Sequence, residues 1–146
     1  MEFRLEFVFP FVAGKERPRF AGGRVYTPAK TRANEAKIWS AYMGACIREF
    51  GHVVTAPKGT PVGVMVAAFE PLPKGVRVSR PFVAKPDADN IGKLVCDGLN
   101  PGPGRVGAWG DDSQVTQLNI LKLDGTKGVP GRTHVTVYWE VTDDER

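Results

Sequence analysis

The 146-residue chain is 42% hydrophobic and 25% charged, the ordinary balance of a soluble globular protein, and its length suits one domain, residues 1–146, around one core. No apolar run is long enough to span a bilayer. Residues 1–6 hold two acids and alternate in polarity, unlike a secretory leader, so a cytoplasmic protein is expected. The formal charge of +4 is unevenly spread: residues 1–80 carry 13 Lys or Arg against 6 acids, and residues 81–146 carry 7 against 10. A polyanion suits the first part and a cation the second.

In chain order, residues 2–10 alternate, with Phe3, Leu5, Phe7 and Phe9 on one side, which predicts a half-buried strand ended by Pro10. Residues 14–30 are rich in Gly, Pro and basic side chains and predict a loop, with a hairpin turning at Gly22-Gly23 and ending at Val25-Tyr26. Thr31 is the expected N-cap of a helix over 32–50, in which Ile38, Tyr42, Cys46 and Phe50 recur at helical spacing before Gly51 stops it. A second strand is expected over 62–69, a polar connection over 73–81, and a second helix over 87–100 with Ile91, Leu94, Val95 and Leu99 on its apolar side. A Gly- and Pro-rich loop follows to Gly110, then strands over 114–123 and 133–141 joined by a Gly-rich turn, and a frayed tail over 143–146. This order implies an α+β fold, a mixed or antiparallel sheet of about four strands with two main helices packed on it.

Cys46 and Cys96 lie in the predicted helices without CxxC spacing and read as reduced core thiols. His52 and His134 are isolated, so no zinc site is built on them. The chemistry concentrates in Lys85-Pro86-Asp87-Ala88-Asp89-Asn90-Ile91-Gly92-Lys93. Two carboxylates two residues apart at the mouth of a helix can converge on one hard cation such as Mg²⁺, which takes oxygen ligands and keeps several waters. Lys93, one turn beyond Asp89, lies on the same face. A third carboxylate must come from elsewhere, and Asp111 and Asp112, just ahead of a strand, are the candidates. Asp97 lies about 80° around the helix from Asp89 and suits a supporting role. The competing readings are helix caps for Asp87 or Asp89, a plain turn at 111–113 and a solvated Lys93. Residues 15–32 hold six basic residues, Lys15, Arg17, Arg19, Arg24, Lys30 and Arg32, against one acid. Such a loop suits phosphate contacts, with Phe20 and Tyr26 placed to stack on exposed bases.

Taken together, ERPRF (16–20), GRVYTP (23–28), KPDADNIGKLVCDGLN (85–100) and DDSQV (111–115) resemble the RusA family of Holliday junction resolvases, in the family's order and over roughly residues 15–123. The resemblance implies a homodimeric, magnesium-dependent endonuclease that resolves four-way DNA junctions by symmetric paired incision in recombination and repair, with Mn²⁺ as a possible substitute. It puts the three catalytic, metal-binding aspartates on Asp87, Asp89 and Asp112 and the catalytic lysine on Lys93. It adds Asn90, Asp97 and Asp111 as supporting positions. Two departures stand out. The loop 100–110 is longer and richer in Gly and Pro than the family's compact form, and Asn34 precedes Glu35 where relatives often carry an aromatic residue. The rival readings are a metal nuclease preferring flaps or forks, and a DNA-binding protein that cuts nothing.

Overall fold

The computed structural model describes residues 1–142 apart from Ser79, Thr126 and Lys127. Strand β1 (Glu2–Phe9) is followed by a short hairpin, β2 (Arg19–Ala21) and β3 (Arg24–Tyr26), then α1 (Ala29–Phe50), β4 (Val62–Glu70), α2 (Ala88–Leu99), β5 (Val115–Asp124) and β6 (Arg132–Glu140). The main sheet runs β1-β6-β4-β5. Its β1–β6 and β6–β4 pairs are antiparallel and β4–β5 is parallel. The fold is therefore the expected α+β with a mixed four-stranded sheet and two helices, plus the small hairpin. The expected tail lies outside the described residues, as do two positions of the turn between β5 and β6.

Alternation does what the sequence pattern implies. Leu5, Val137, Val64 and Leu118 stand in one cross-strand row, and Phe7, Val135, Val66 and Ile120 in the next. The first three of each row are buried. Both helices cover that face: Phe7 meets Tyr42 of α1 edge-on at 5.7 Å, and α2 lies so close to β5 that a Cβ on Gly92 would fall 2.3 Å from Ile120 Cδ1. The helices also touch each other closely. A Cβ on Gly98 of α2 would stand 3.0 Å from Ile38 of α1. Ile38, Tyr42, Ile91, Leu94, Val95 and Leu99 are fully buried in one cluster with the sheet.

Two boundaries differ from the sequence reading. Helix α1 starts three residues early, at Ala29 behind Pro28, and Thr31 caps nothing. Thr31 is buried inside the first turn, and its hydroxyl accepts a hydrogen bond from the Glu16 amide at 3.3 Å. Its side chain thus serves the incoming chain instead of the helix end, whose N-cap position, Pro28, makes no side-chain capping bond. At the other end Gly51 is left-handed (φ 80°) and its amide returns to the Ile47 carbonyl, the stop that was expected. Cys46 is a buried core thiol as read, but Cys96 is only partly buried.

Because Ile38 fills the α1–α2 contact, Ile38→Ala is expected to remove about 2–5 kcal/mol of stability. The measurement is a lowered denaturant midpoint at unchanged slope. A change below about 0.5 kcal/mol would mean that the helices do not depend on this contact.

Candidate active site

Asp87 occupies the N-cap position of α2 with extended backbone (φ −69°, ψ 149°), yet its side chain makes no capping hydrogen bond. It accepts instead from Lys85 Nζ at 3.0 and 3.1 Å. That pair is exposed on both sides, so it holds Asp87 only weakly and can yield to a stronger cation. Asp89 lies exposed in the first turn, where the helix dipole favours a negative charge. Neither Asp89 nor exposed Lys93 is hydrogen-bonded or ion-paired to another described residue. The carboxylates at the helix mouth are therefore not consumed by capping.

Asp111 and Asp112 are held differently. Asp111 precedes a 3₁₀ turn, Asp112–Gln114, and its carboxylate accepts from the Ser113 amide at 3.1 Å. Gln114 answers with the reciprocal half of a capping box. Its Oε1 accepts from the amides of Gly110 (2.8 Å) and Asp111 (3.0 Å), while Nε2 donates to the carbonyls of Pro57 (2.9 Å) and Thr60 (3.1 Å). Gln114 is buried, and losing four hydrogen bonds there would leave unsatisfied groups at about 1–3 kcal/mol each. Sequence reasoning passed over Gln114 as a positioning residue. The signal was present as Asp-x-x-Gln, the spacing of a capping box, but its long-range partners were not.

The long Gly- and Pro-rich loop ahead of this turn is tied down. Trp109 is fully buried and its indole donates to Asn100 Oδ1 at 2.6 Å. The Ala108 amide donates to the Leu99 carbonyl, and Ala108 accepts from Ala56, each at 2.8 Å. Arg105 covers the end of α2 through the carbonyls of Asp97 (3.1 Å) and Asn100 (3.3 Å). Asp112 thus begins from an anchored turn.

Charge links the two segments. A hydrogen bond with Asp111, the Asp111 charge, and more weakly Asp97 push the Asp112 carboxyl above the ordinary range, while the Ser113 amide pulls Asp111 below it. Burial, then Asp97 and Asp112, push the Cys96 thiol up to about 11. The charge of Asp112 is thus felt at Cys96 of α2. Asp89, Lys93 and Cys96 fall on one stripe of that helix by their spacing, with Asp87 and Asp89 at its start and Cys96, which feels the Asp112 charge, further along. Among the described residues, no three of His, Cys, Asp and Glu gather closely enough to hold a metal ion.

The basic run divides in two. Arg17, Arg19, Arg24, Lys30 and Arg32 are exposed, and among the described residues only Arg19 of these has an acidic partner, Glu16 at 3.7 Å. Lys15 is turned inward, its ammonium between Asp97 and Glu35 (3.3 Å to the latter). Burial disfavours that charge, but Asp97 and Glu35 outweigh it and leave the ammonium more basic than usual.

A sequence profile of the RusA endodeoxyribonucleases matches residues 10–138. The chain belongs to the RusA endodeoxyribonuclease family. It is accordingly an endodeoxyribonuclease of the Holliday junction resolvase type, and branched DNA is the family's substrate. No curated protein matches the chain closely enough to refine that assignment. Among its described residues, no helix of this RusA protein is long and apolar enough to cross a membrane.

A hard divalent cation fits these donors in kind. Asp87, Asp89 and Asp112 offer only oxygen, Asp89 is uncommitted among the described residues, and the neighbouring Asp111 charge opposes a second negative charge on Asp112. If Asp112 is a working carboxylate, cleavage by this RusA protein should fall away on the acid side at a pH above the usual Asp range, as the proton takes the cation's place. Asp111→Asn removes the largest cause of the upward shift, so the acid limb of the pH–rate profile is expected to move to lower pH. A limb that stays put or moves upward would contradict the role given to Asp112.

Proposed function

We propose that this RusA protein hydrolyses phosphodiester bonds at four-way DNA junctions, using Asp87, Asp89 and Asp112 as ligands to one or two Mg²⁺ ions, with Mn²⁺ as a substitute. The observation that carries this reading is the uncapped carboxylate pair at the start of α2, Asp89 uncommitted and Asp87 tied only to exposed Lys85, with Lys93 on the same stripe and the Asp112 charge felt at Cys96 beyond it. When bound, the cation supplies charge neutralisation at the scissile phosphate and an activated water. The protein's own residues do the rest. Lys93, exposed and unpaired among the described residues, places a positive charge where the phosphate gains negative charge. Asn90 lies between Asp89 and Ile91 at the mouth of the helix, and its carbonyl fixes the Lys15 amide at 2.9 Å. Asp111 serves by capping the turn that presents Asp112, which favours Asp112 over Asp111 as the ligand. Asp97 supports the site through Lys15 and through its charge on Asp112.

DNA is held by the exposed cations Arg17, Arg19, Arg24, Lys30 and Arg32, on and beside the β2–β3 hairpin. The hairpin's faces differ. Arg19, Arg24 and Tyr26 share one side and the exposed pair Phe20 and Val25 the other. The first suits phosphates and the second suits bases left unstacked at a branch point. Two equivalent cuts about a symmetric junction call for two equivalent sites, which a C2 homodimer provides. The work belongs to recombination and repair in the cytoplasm, where the substrate arises.

Asp89→Asn keeps the side chain's shape and removes its charge. With labelled four-way junctions, flaps and Mg²⁺, the wild type is expected to give paired, symmetric nicks near the crossover of the four-way substrate. The variant is expected to bind the junction and cut it at least about 1,000-fold more slowly. Wild-type cleavage by Asp89→Asn would sink the site assignment, and cuts confined to flaps would replace the four-way junction as the substrate.

A further inference from the structure

Among the described residues, the β2–β3 hairpin contributes no side chain to the buried core. All six of its strand residues are exposed, and its two strands pair only with each other. Where it sits relative to α2 must then be decided at its root, residues 11–16 and 28–31. The root is closely fitted. A Cβ on Gly14 would stand 2.8 Å from Pro86 Cβ and 3.0 Å from Asn90 Cβ, so the chain lies directly on the segment that carries Asp87 and Asp89. The Lys15 amide donates to the Asn90 carbonyl at 2.9 Å, and the next amide, of Glu16, donates to the Thr31 hydroxyl of α1. The Lys15 side chain completes the junction. Three-quarters shielded from solvent, it bonds Glu35 of α1 and Asp97 of α2 with one ammonium. Glu35 is itself mostly buried, so this pair is far less screened than a surface bridge, and breaking it leaves carboxylates uncompensated.

We propose that Lys15 is a positioning residue, whose ammonium between Glu35 and Asp97 locks the root of the DNA-gripping hairpin against the carboxylate helix and so sets the register between the grip and the cut. This rests on the nuclease reading above. It separates Lys15 from the other cations of its run: those face DNA, and Lys15 faces the protein. A phosphate misplaced by about 1 Å is enough to cost on the order of 100-fold in rate, so a loosened root should spoil cleavage more than binding.

The test compares wild type with Lys15→Met and Lys15→Arg in three measurements. These are junction affinity without divalent metal, single-turnover cleavage at saturating protein with Mg²⁺, and limited trypsin digestion after Arg19 and Arg24 without DNA. For Lys15→Met we expect faster tryptic cutting of the hairpin, junction affinity within about threefold of wild type and a saturated cleavage rate lower by roughly 100-fold. Lys15→Arg is expected to recover most of that rate. Should Lys15→Met not fold, Glu35→Gln removes one partner with Lys15 in place and is expected to show the same pattern at smaller size. Wild-type digestion and rate in whichever variant folds would overturn the proposal. So would lost affinity with an unchanged saturated rate, since that marks a direct DNA contact. The digestion also separates the two readings. If the wild type cuts no junction while the variant's hairpin opens to trypsin, the nuclease reading fails and only the lock at the hairpin root stands.

Discussion

Parallel strands cannot be joined by a tight turn, so the β4–β5 pairing obliges the chain to cross over the sheet between them. The crossover is α2, and the rest of the site depends on it. Asp87 and Asp89 stand where the chain enters the helix, and Asp112 stands where it leaves the following loop to begin β5. One apolar side of α2, with Ile91, Leu94, Val95 and Leu99, is fully buried, which fixes the helix's rotation and leaves Asp89 and Lys93 outward. Gly92 and Gly98 let that helix approach β5 and α1 more closely than any side chain would permit. The same packing that makes the core therefore aims the carboxylates.

The two carboxylate segments are held with unequal firmness. Asp112 follows a buried tryptophan and is locked in place by Gln114, whose amide joins the turn to the chain around Pro57 and Thr60. Asp87 and Asp89 are exposed and tied at most to a solvent-facing lysine. On the proposed reading, a firm carboxylate at one end and adjustable ones at the other suit a site that must admit a cation and a phosphate together. The asymmetry also explains how the long, flexible-looking loop 100–110 is compatible with a defined Asp112, because its glycines and prolines lie between fixed points at Leu99, Arg105 and Ala108.

Much of this was legible from local pattern. Alternation located β1 and β5, helical spacing located both helices, and Gly51 marked a stop that only a left-handed residue makes easily. The family resemblance picked Asp87, Asp89, Lys93 and Asp112 from a chain with many other acids and bases. What escaped the sequence was long-range. Nothing near Thr31 says that its hydroxyl will bind an amide fifteen residues earlier, so it passed for a helix cap. Nothing near Gln114 shows the Pro57 and Thr60 carbonyls. Lys15 reads like its neighbours Arg17 and Arg19, yet its charge goes inward because Glu35 and Asp97 arrive from two different helices. Cys96 looks like a core thiol by its apolar neighbours in sequence, yet it is only partly buried and feels the charges of Asp97 and Asp112.

The central claim is that Asp87, Asp89 and Asp112 share a divalent cation although the three are not gathered at ligand distance in the metal-free chain. Crystals of the protein with a four-way junction and Mn²⁺, with Lys93→Ala to slow turnover and keep all three carboxylates, would locate the ion by its anomalous scattering. The account expects one or two peaks about 2.0–2.3 Å from carboxylate oxygens, with Asp112 and at least one of Asp87 and Asp89 among the ligands and with Lys15 still on Glu35 and Asp97. Manganese bound by Glu35 and Asp97 with Lys15 displaced, or no peak at Asp112, would contradict it.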